Sequence, residues 1–370
     1  MAPLAVYVHT PFCPTKCGYC DFNSFAMSGP IQGRVSSAIE REIAASPTRG
    51  TPAKSIFFGG GTPTYLSALH LTSLLRATLA AHPPTDECEI TSEANPGTAD
   101  ADKFAAMRGA GFNRLSLGAQ SFRDDDLARL GRVHRASEIE RAVMLARDAG
   151  FQNLNLDLMF ALPGQTVADW RSNLERAFEL GTEHLSLYCL TFEPNTPFSK
   201  EHRAGRLTLP EEEHQVEMYD LAVDLASEAG YLQYEISNFA RPGFECRHNL
   251  AYWRCEQYAG YGPGAVGRLG LPQGPTRYTN LKHPRAYAEA VERGERLWCE
   301  SEALTEENLR MEKILLGLRL DEGLDSQGLD LSEEALRSLE ERTWIRRTEG
   351  QIQLTRAGKH FCNEVALALC

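Results

Sequence analysis

The chain has 370 residues, 42% of them hydrophobic, and its 38 basic and 50 acidic side chains give a formal net charge of −12. That length is enough for one large core or two smaller ones. The acidic balance argues against nucleic acid as a partner, because phosphate backbones repel a negative surface. We find no apolar run near the roughly 18 residues of a membrane span and no basic leader, so we expect a mature chain that works in the cytoplasm.

Short β-rich runs alternate with helical patterns over the first two hundred residues, which predicts βα units on a parallel sheet. The expected strands cover residues 4–10, 54–60, 88–94, 113–119, 153–159 and 184–190. The expected helices lie near residues 30–45, 67–81, 100–109, 136–149, 166–180 and 211–229. We therefore predict an α/β fold with a partial (β/α)6 barrel of the TIM type. In such a barrel the chemistry lies at the carboxyl ends of the strands.

Two further regions follow the barrel, which we assign to residues 1–230. Residues 231–300 begin with a strand and turn and are rich in glycine and aromatic residues, so we expect them to extend or cover the barrel. Residues 301–370 have the element order of a smaller winged-helix-like α+β domain. From residue 300 onwards this region has 15 acidic against 9 basic side chains, which favours a docking or packing role over DNA binding.

Three cysteines, Cys13, Cys17 and Cys20, follow the first strand with the spacing C-x3-C-x2-C. Closely spaced thiolates bind Fe–S clusters or zinc. Structural zinc has four protein ligands, and the sequence offers no second short-spaced pair, so zinc is the weaker interpretation. A cubane held by only three cysteines leaves one iron open to a small molecule. The other seven cysteines are scattered, and we expect them to be small apolar residues.

This loop resembles that of the radical S-adenosylmethionine (SAM) superfamily. The resemblance implies a [4Fe–4S] cluster whose open iron binds SAM, and an external electron donor for the cluster. Gly60, Gly61 and Thr62 follow the second strand, where their backbone N–H groups could bind the methionyl part of SAM. Glu93 ends the third strand and could hold the SAM ammonium. Asp157 lies in an otherwise apolar strand, and a buried carboxylate there needs a partner such as a ribose diol.

In order along the chain, these motifs resemble the radical SAM family of oxygen-independent coproporphyrinogen III oxidase-like proteins, and within it most of all the HemW heme chaperones. The match runs from "YVHTPFC" to about "PGAVG". It implies that Tyr7, Gly60 and Glu93 contact the cluster-bound SAM. Other residues match positions that contact a second SAM in the dehydrogenases of the family, namely Tyr19, Gly61, Thr62, Gln120, Arg132, Asp157, Thr191 and Val266.

Two features separate the branches of this family. The dehydrogenases carry an additional cysteine where this chain has Phe22, and they have a longer segment ahead of the cluster. The stretch "HNLAYW", residues 248–253, matches the H-N-x-x-Y-W signature of the chaperone branch. There His248 is a candidate axial ligand for heme iron, and Tyr252 and Trp253 offer flat apolar faces to a macrocycle. Cys246 is a weaker alternative ligand, and local packing is the alternative role of the whole motif.

Two functions from different classes therefore remain. In the first, the protein is a heme chaperone that binds heme and transfers it to apo-haemproteins, such as respiratory proteins at the membrane. In the second, it is a radical SAM oxidoreductase, either a coproporphyrinogen III dehydrogenase or an enzyme acting on another tetrapyrrole. Because Phe22 stands where the additional cysteine would be, we favour the chaperone and expect no turnover of coproporphyrinogen. We assign no catalytic residue from the sequence.

Overall fold

The computed structural model describes residues 2–370, and most of its strands join one large sheet. The sheet contains twelve strands in the order β12-β11-β10-β9-β1-β2-β3-β4-β5-β6-β8-β7. The first six strands are β1 (Leu4–Thr10), β2 (Ala53–Gly60), β3 (Pro84–Ala94), β4 (Arg114–Gln120), β5 (Leu154–Phe160) and β6 (His184–Cys189). The others are β7 (Leu232–Glu235), β8 (Asn238–Ala240), β9 (Tyr258–Tyr261), β10 (Val266–Leu271), β11 (Gly274–Asn280) and β12 (Trp298–Ala303).

Strands β1 to β6 run parallel in sequence order, as the βα pattern predicts. Parallel strands are covered on both faces, and their buried apolar runs reflect this. Val6 and Val8 of β1 and Ile56 and Phe58 of β2 are completely buried. The α/β fold of the radical SAM type is therefore confirmed. The largest difference in bounds is at β3, which begins at Pro84 rather than at residue 88.

The six expected helices are present, and local capping explains where several of them begin. They are α1 (Pro30–Ala44), α2 (Ala68–Ala81), α3 (Ala101–Ala110), α5 (Ala136–Asp148), α6 (Val167–Glu179) and α8 (Glu212–Glu228). The side chains of Ser67, Asp100 and Thr166 accept hydrogen bonds from the first turns of α2, α3 and α6. Sequence reasoning missed α4 (Asp124–Leu130) and α7 (Pro197–Arg203), because seven residues are too few to show a helical period.

The strands that begin within residues 231–300 extend the sheet at both edges. The hairpin of β7 and β8 joins β6, and β9 pairs in parallel with β1. Beyond β9, the strands β10, β11 and β12 pair in antiparallel order. Two helices lie in this region, α9 (Arg247–Trp253) and α10 (Pro284–Arg293). The sheet crosses the proposed boundary at residue 230, and the division into three domains stays a prediction.

The C-terminal region has its own small sheet and its own apolar core. Its sheet has the order β13-β15-β14, and its elements follow the expected order of two helices, a hairpin and a final helical segment. The helices are α11 (Glu306–Gly317), α12 (Glu333–Glu341), α13 (Arg356–Lys359) and α14 (Cys362–Leu369), and the strands are β13 (Leu324–Asp325), β14 (Ile345–Thr348) and β15 (Gln351–Leu354).

Charged contacts join this C-terminal region to the barrel and to residues 231–300. Arg319 lies 3.3 Å from Glu235, whose side chain is fully buried. Arg254 Nε donates to Glu322 over 2.9 Å, and Arg356 Nε donates to Asp220 over 2.9 Å. A buried carboxylate such as that of Glu235 is costly without a partner, so the Arg319 pair helps to fix the two regions. Among residues 2–370, we find no helix with both the length and the apolar character to cross a bilayer.

Trp170 tests how the outer helices are attached to the sheet. It is completely buried on α6, its indole N–H donates to Met218 O of α8 over 2.9 Å, and its ring lies 5.4 Å from that of Phe160 on β5. We expect Trp170→Ala to lower the free energy of unfolding by about 3–5 kcal/mol, because it leaves a large cavity. Trp170→Phe keeps an aromatic ring in the cavity, so its free energy of unfolding should fall clearly less. Both variants remove the indole N–H. Equal losses of unfolding free energy in the two variants, measured from guanidinium unfolding curves, would show that the hydrogen bond and not packing provides most of the stabilisation.

Candidate functional site

The three cysteines lie on the loop between β1 and α1, and this loop is bound to the end of β2 by backbone hydrogen bonds. Gly61 N donates to Thr10 O over 2.8 Å, and Thr62 N donates to Phe12 O over 2.7 Å. Gly60 N donates to Glu93 Oε2 over 3.2 Å. The expectation that these three N–H groups are free for a ligand is therefore wrong. Within the protein they position the cysteine loop and the Glu93 carboxylate.

Glycine is required at both positions because the backbones approach each other closely. A Cβ on Gly61 would lie 2.6 Å from Phe12 O and 2.8 Å from Thr10 O. Gly60 has a φ of +104°, and a Cβ there would lie 2.2 Å from the His9 ring. A side chain at Gly61 would push the start of the cysteine loop away from β2, and one at Gly60 would collide with His9 on β1.

The three cysteines line a small cavity, and two of their sulfurs accept hydrogen bonds, from Thr62 after β2 and from Arg132 after α4. Thr62 Oγ1 lies 3.6 Å from Cys13 Sγ, and Arg132 Nη1 lies 3.7 Å from Cys17 Sγ. Burial raises the pKa of the Cys13 and Cys20 thiols in the absence of a metal. Hydrogen-bond donors to the sulfurs, here Thr62 and Arg132, stabilise negatively charged thiolates. The three cysteines with these donors therefore fit a cluster bound by three thiolates.

The small cavity has a volume of about 130 Å³. Its wall contains most of the residues that the sequence selects, namely Cys13, Cys17, Cys20, Tyr19, Gly60, Gly61, Thr62, Glu93, Gln120, Arg132 and Asp157. Gln120 has a φ of +67° at the end of β4, a strained conformation for a residue with a side chain. Such strain persists where surrounding structure holds it, and it is concentrated at functional sites.

Two partly buried carboxylates dominate the electrostatics of the small cavity. Burial, together with the nearby Asp157, raises the pKa of Glu93 to about 8. Burial also raises the pKa of Asp157, although Asn155 Nδ2 donates to it over 2.7 Å and Ser116 Oγ over 3.2 Å. A cation beside Glu93 would reverse this shift, because an opposite charge favours the ionised carboxyl. The cavity is thus suited to a ligand with a positively charged group.

A larger cavity of about 590 Å³ adjoins the small one. Phe22, Gly60 and Glu93 contribute to the walls of both. Phe22 is 63% exposed, so the residue in place of an additional cysteine stands at the opening between the two cavities. The wall of the larger cavity combines a broad aromatic and aliphatic part, which includes Tyr252 and Trp253, with several charged side chains. It also includes residues of α11, so the C-terminal region closes one side.

Three of the sequence-selected residues lie elsewhere than expected. Tyr7 and Val266 line the larger cavity and not the small one. Thr191 lines neither; its hydroxyl donates to Glu193 Oε1 over 2.9 Å on an exposed loop. The separation follows from topology, because Val266 begins β10 on the far side of β9, away from the strand ends that surround the small cavity.

His248 lies behind the wall of the larger cavity rather than on it. Its side chain is 1% exposed, with Nε2 3.0 Å from Tyr252 Oη and Nδ1 3.0 Å from Ser55 Oγ. The ring stacks on Phe57 at 5.1 Å. Burial lowers the pKa of His248 to about 3, so the ring is neutral. Iron ligation through Nε2 would require the hydrogen bond to Tyr252 to break, whereas Nδ1 could keep its bond to Ser55. The alternative ligand Cys246 is completely buried and donates to Glu89.

Sequence reasoning missed several residues of the two walls. Asn95 and Ser116 line the small cavity, and each lies in a stretch already selected for another residue. Arg268, Arg277 and Glu312 line the larger cavity. No local sequence signal could have found these three, because the pairing of β10 with β11 and the position of α11 bring them together.

Comparisons with known proteins agree with this site. The family model of the radical SAM superfamily matches residues 7–177. The heme chaperone HemW of Bacillus subtilis (strain 168) is 39% identical over 374 residues, covering 98% of this chain and 97% of that protein. The chain belongs to the HemW family. The HemW of Escherichia coli (strain K12) is 41% identical over 295 residues, covering 78% of this chain and 76% of that protein.

A solved structure shares the fold of this HemW family member. Coproporphyrinogen III oxidase (HemN) from Escherichia coli, a radical SAM enzyme, superimposes with a TM-score of 0.84 at 23% identity, covering 99% of this chain and 90% of that chain. Membership of the radical SAM superfamily implies a [4Fe–4S] cluster and SAM, and the donor set around the three cysteines fits them.

Glu93 predicts a pH dependence of stability in the cofactor-free protein. Its pKa rises from an ordinary 4.5 to about 8, so between these values the folded state holds a proton that the unfolded state has lost. Stability from this group is therefore full below pH 4.5 and falls as the pH rises to 8. We expect Glu93→Gln to reduce the fall in melting temperature between pH 5 and pH 8.5. The exposed Glu228→Gln is the control, and equal falls in all three proteins would contradict the assignment.

Proposed function

We propose that this HemW family member is a heme chaperone that binds heme in the larger cavity and transfers it to apo-haemproteins. Respiratory haemproteins at the membrane are the proposed acceptors, and the cytoplasm is the proposed location. The observation that carries the proposal is the aromatic cavity of about 590 Å³ that opens against the cysteine loop. The names of the HemW relatives support the same function.

In this proposal the small cavity holds the cofactors. Cys13, Cys17 and Cys20 would hold the cluster, while Glu93 and Asp157 would bind the charged and hydroxyl groups of SAM. When bound, the cluster supplies one electron at a time and SAM supplies the adenosyl group. The protein's own contribution is to orient the thiolates through Thr62 and Arg132 and to exclude water by burial. The scheme is independent of whether one or two SAM molecules bind, and it requires a separate electron donor.

The larger cavity would hold the cargo against Tyr252 and Trp253. Aromatic faces of this kind bind a flat apolar macrocycle through stacking and burial. His248 enters the proposal as a positioning residue, because its Nε2 lies 3.0 Å from Tyr252 Oη and fixes that ring from behind. Residues at spacing i and i+4 lie on the same face of a helix, which explains why the motif places histidine and tyrosine four positions apart.

Cargo binding and cluster binding should be separable, because they use different walls. We expect Cys13→Ala to lose the iron–sulfur absorbance after anaerobic iron and sulfide loading, while heme titration still gives a Soret band at one heme per chain. Cys299→Ala is the matched control, since Cys299 is an exposed cysteine on β12 and should keep both bands. Loss of heme binding in Cys13→Ala, with an unchanged circular dichroism spectrum, would contradict separate sites.

A transfer assay tests the proposed function itself. Heme-loaded protein mixed with an apo-haemprotein should lose its Soret band as the acceptor gains its own, since a chaperone releases its cargo. The same cluster-loaded protein should not convert coproporphyrinogen III to protoporphyrinogen in the presence of SAM and reductant. Robust turnover in that second assay would support the oxidoreductase alternative and refute the chaperone proposal.

A further inference from the structure

Two arginines face each other across adjacent strands in the wall of the larger cavity. Arg268 on β10 and Arg277 on β11 are direct partners in the antiparallel register. Like charges at directly opposite positions repel, so this pair needs an anion. Glu312 of α11 provides one and forms ion pairs with both guanidinium groups. Glu302, which is half exposed, reaches Arg277 from the solvent side.

This cluster retains unused hydrogen-bonding capacity on the side of Arg268. Its Nε lies 3.3 Å from Glu312 Oε2, yet it is buried and has no hydrogen bond of acceptable geometry among the described residues. The indole Nε1 of Trp253, in the same wall, is also buried without a described partner. Buried donors without acceptors are rare in folded proteins, and they mark places where a ligand or water completes the site.

The rest of the wall has a broad apolar part, including Tyr252, Tyr258, Val266, Leu315 and Leu316, and it also contains the carboxylates of Glu93 and Glu256. A ligand that matches both features has a flat apolar body with carboxylates along one edge. Heme has this form, because its two propionates project from one side of the macrocycle. Guanidinium groups bind carboxylates through paired, charge-assisted hydrogen bonds, so two adjacent arginines suit two adjacent propionates.

We propose that Arg268 and Arg277 bind the carboxylates of a dicarboxylate tetrapyrrole in the larger cavity, and that Glu312 occupies the arginines until the cargo displaces it. The inference rests on the proposed function and identifies the edge of the cargo that the protein recognises. It also gives α11 a role, since displacement of Glu312 removes an ion pair between the C-terminal region and the sheet. Cargo binding thereby loosens the contact of α11 with β10 and β11.

The test compares heme with heme dimethyl ester, in which both carboxylates are blocked, in the same low concentration of detergent. Full-length, cluster-loaded protein is titrated and followed by its Soret band. We expect the wild type to bind heme roughly tenfold or more tightly than the ester, because only the free propionates accept charge-assisted hydrogen bonds from the arginines. The double variant Arg268→Gln/Arg277→Gln should bind both ligands with the affinity that the wild type has for the ester.

Glu312→Gln gives an independent test, because here the affinity for heme should rise rather than fall. It removes the competing carboxylate, so heme should bind more tightly than to the wild type while the ester changes little. This variant and the ester comparison on the wild type decide the question even where the double variant does not fold. Arg34→Gln is the control for loss of an arginine, because Arg34 on the outer helix α1 pairs with Glu292 on α10. In this variant the affinities for heme and for the ester should both stay unchanged.

The outcomes separate the two proposals. Equal affinity of the wild type for heme and for the ester overturns the arginine inference while the heme chaperone proposal stands. Equal losses for both ligands in the double variant also overturn it, because the arginines would then act through packing. Weaker heme binding by Glu312→Gln refutes the displacement step. Absence of binding of either ligand to the wild type overturns the proposed function, and this inference with it.

Discussion

The backbone hydrogen bonds between the cysteine loop and the end of β2 are the constraint on which the site depends. Gly61 N and Thr62 N bind carbonyl groups on either side of Pro11, so the loop leaves β1 in a fixed direction. Gly60 N at the same time binds the carboxylate of Glu93. Three successive N–H groups thus connect β1, β2 and β3, and the close approach explains why two of the residues are glycines.

In the small cavity, the protein alone offsets only part of the free-energy cost of ionising its two carboxylates. Glu93 and Asp157 are both partly buried, and this desolvation raises both pKa values, so ionisation of either is costly without a cation. Donors from Ser116 and Asn155 offset part of this cost at Asp157. Glu93 has only the N–H of Gly60 among its described donors. A ligand with an ammonium group would favour the ionised form of Glu93, which is the chemistry that membership of the radical SAM superfamily implies.

Local patterns in the sequence predicted the parallel strands, most helices and the small cavity, because each depends on local periodicity or on strand ends. Cys13, Cys17, Cys20 and Glu93 all follow from their positions at such ends. The larger cavity was only partly predictable. The HNLAYW motif made His248 a candidate ligand, which stays a prediction, but only the packing of α9 on β2 shows that its Nδ1 lies beside Ser55. Arg268 and Arg277 are nine positions apart in the sequence, and only the antiparallel register brings them into direct opposition.

The two cavities share Phe22, Gly60 and Glu93, so neither can change without consequence for the other. A cysteine in place of Phe22 would bring a thiol to the boundary between them and remove the largest apolar group there. The exposed phenylalanine instead extends the apolar wall towards the cysteine loop. Such a boundary suits a protein that keeps a tetrapyrrole beside its cofactors without binding it to them. Helix α11 of the C-terminal region closes the opposite side with Leu315 and Leu316, so the larger cavity is formed by the whole chain and not by the barrel alone.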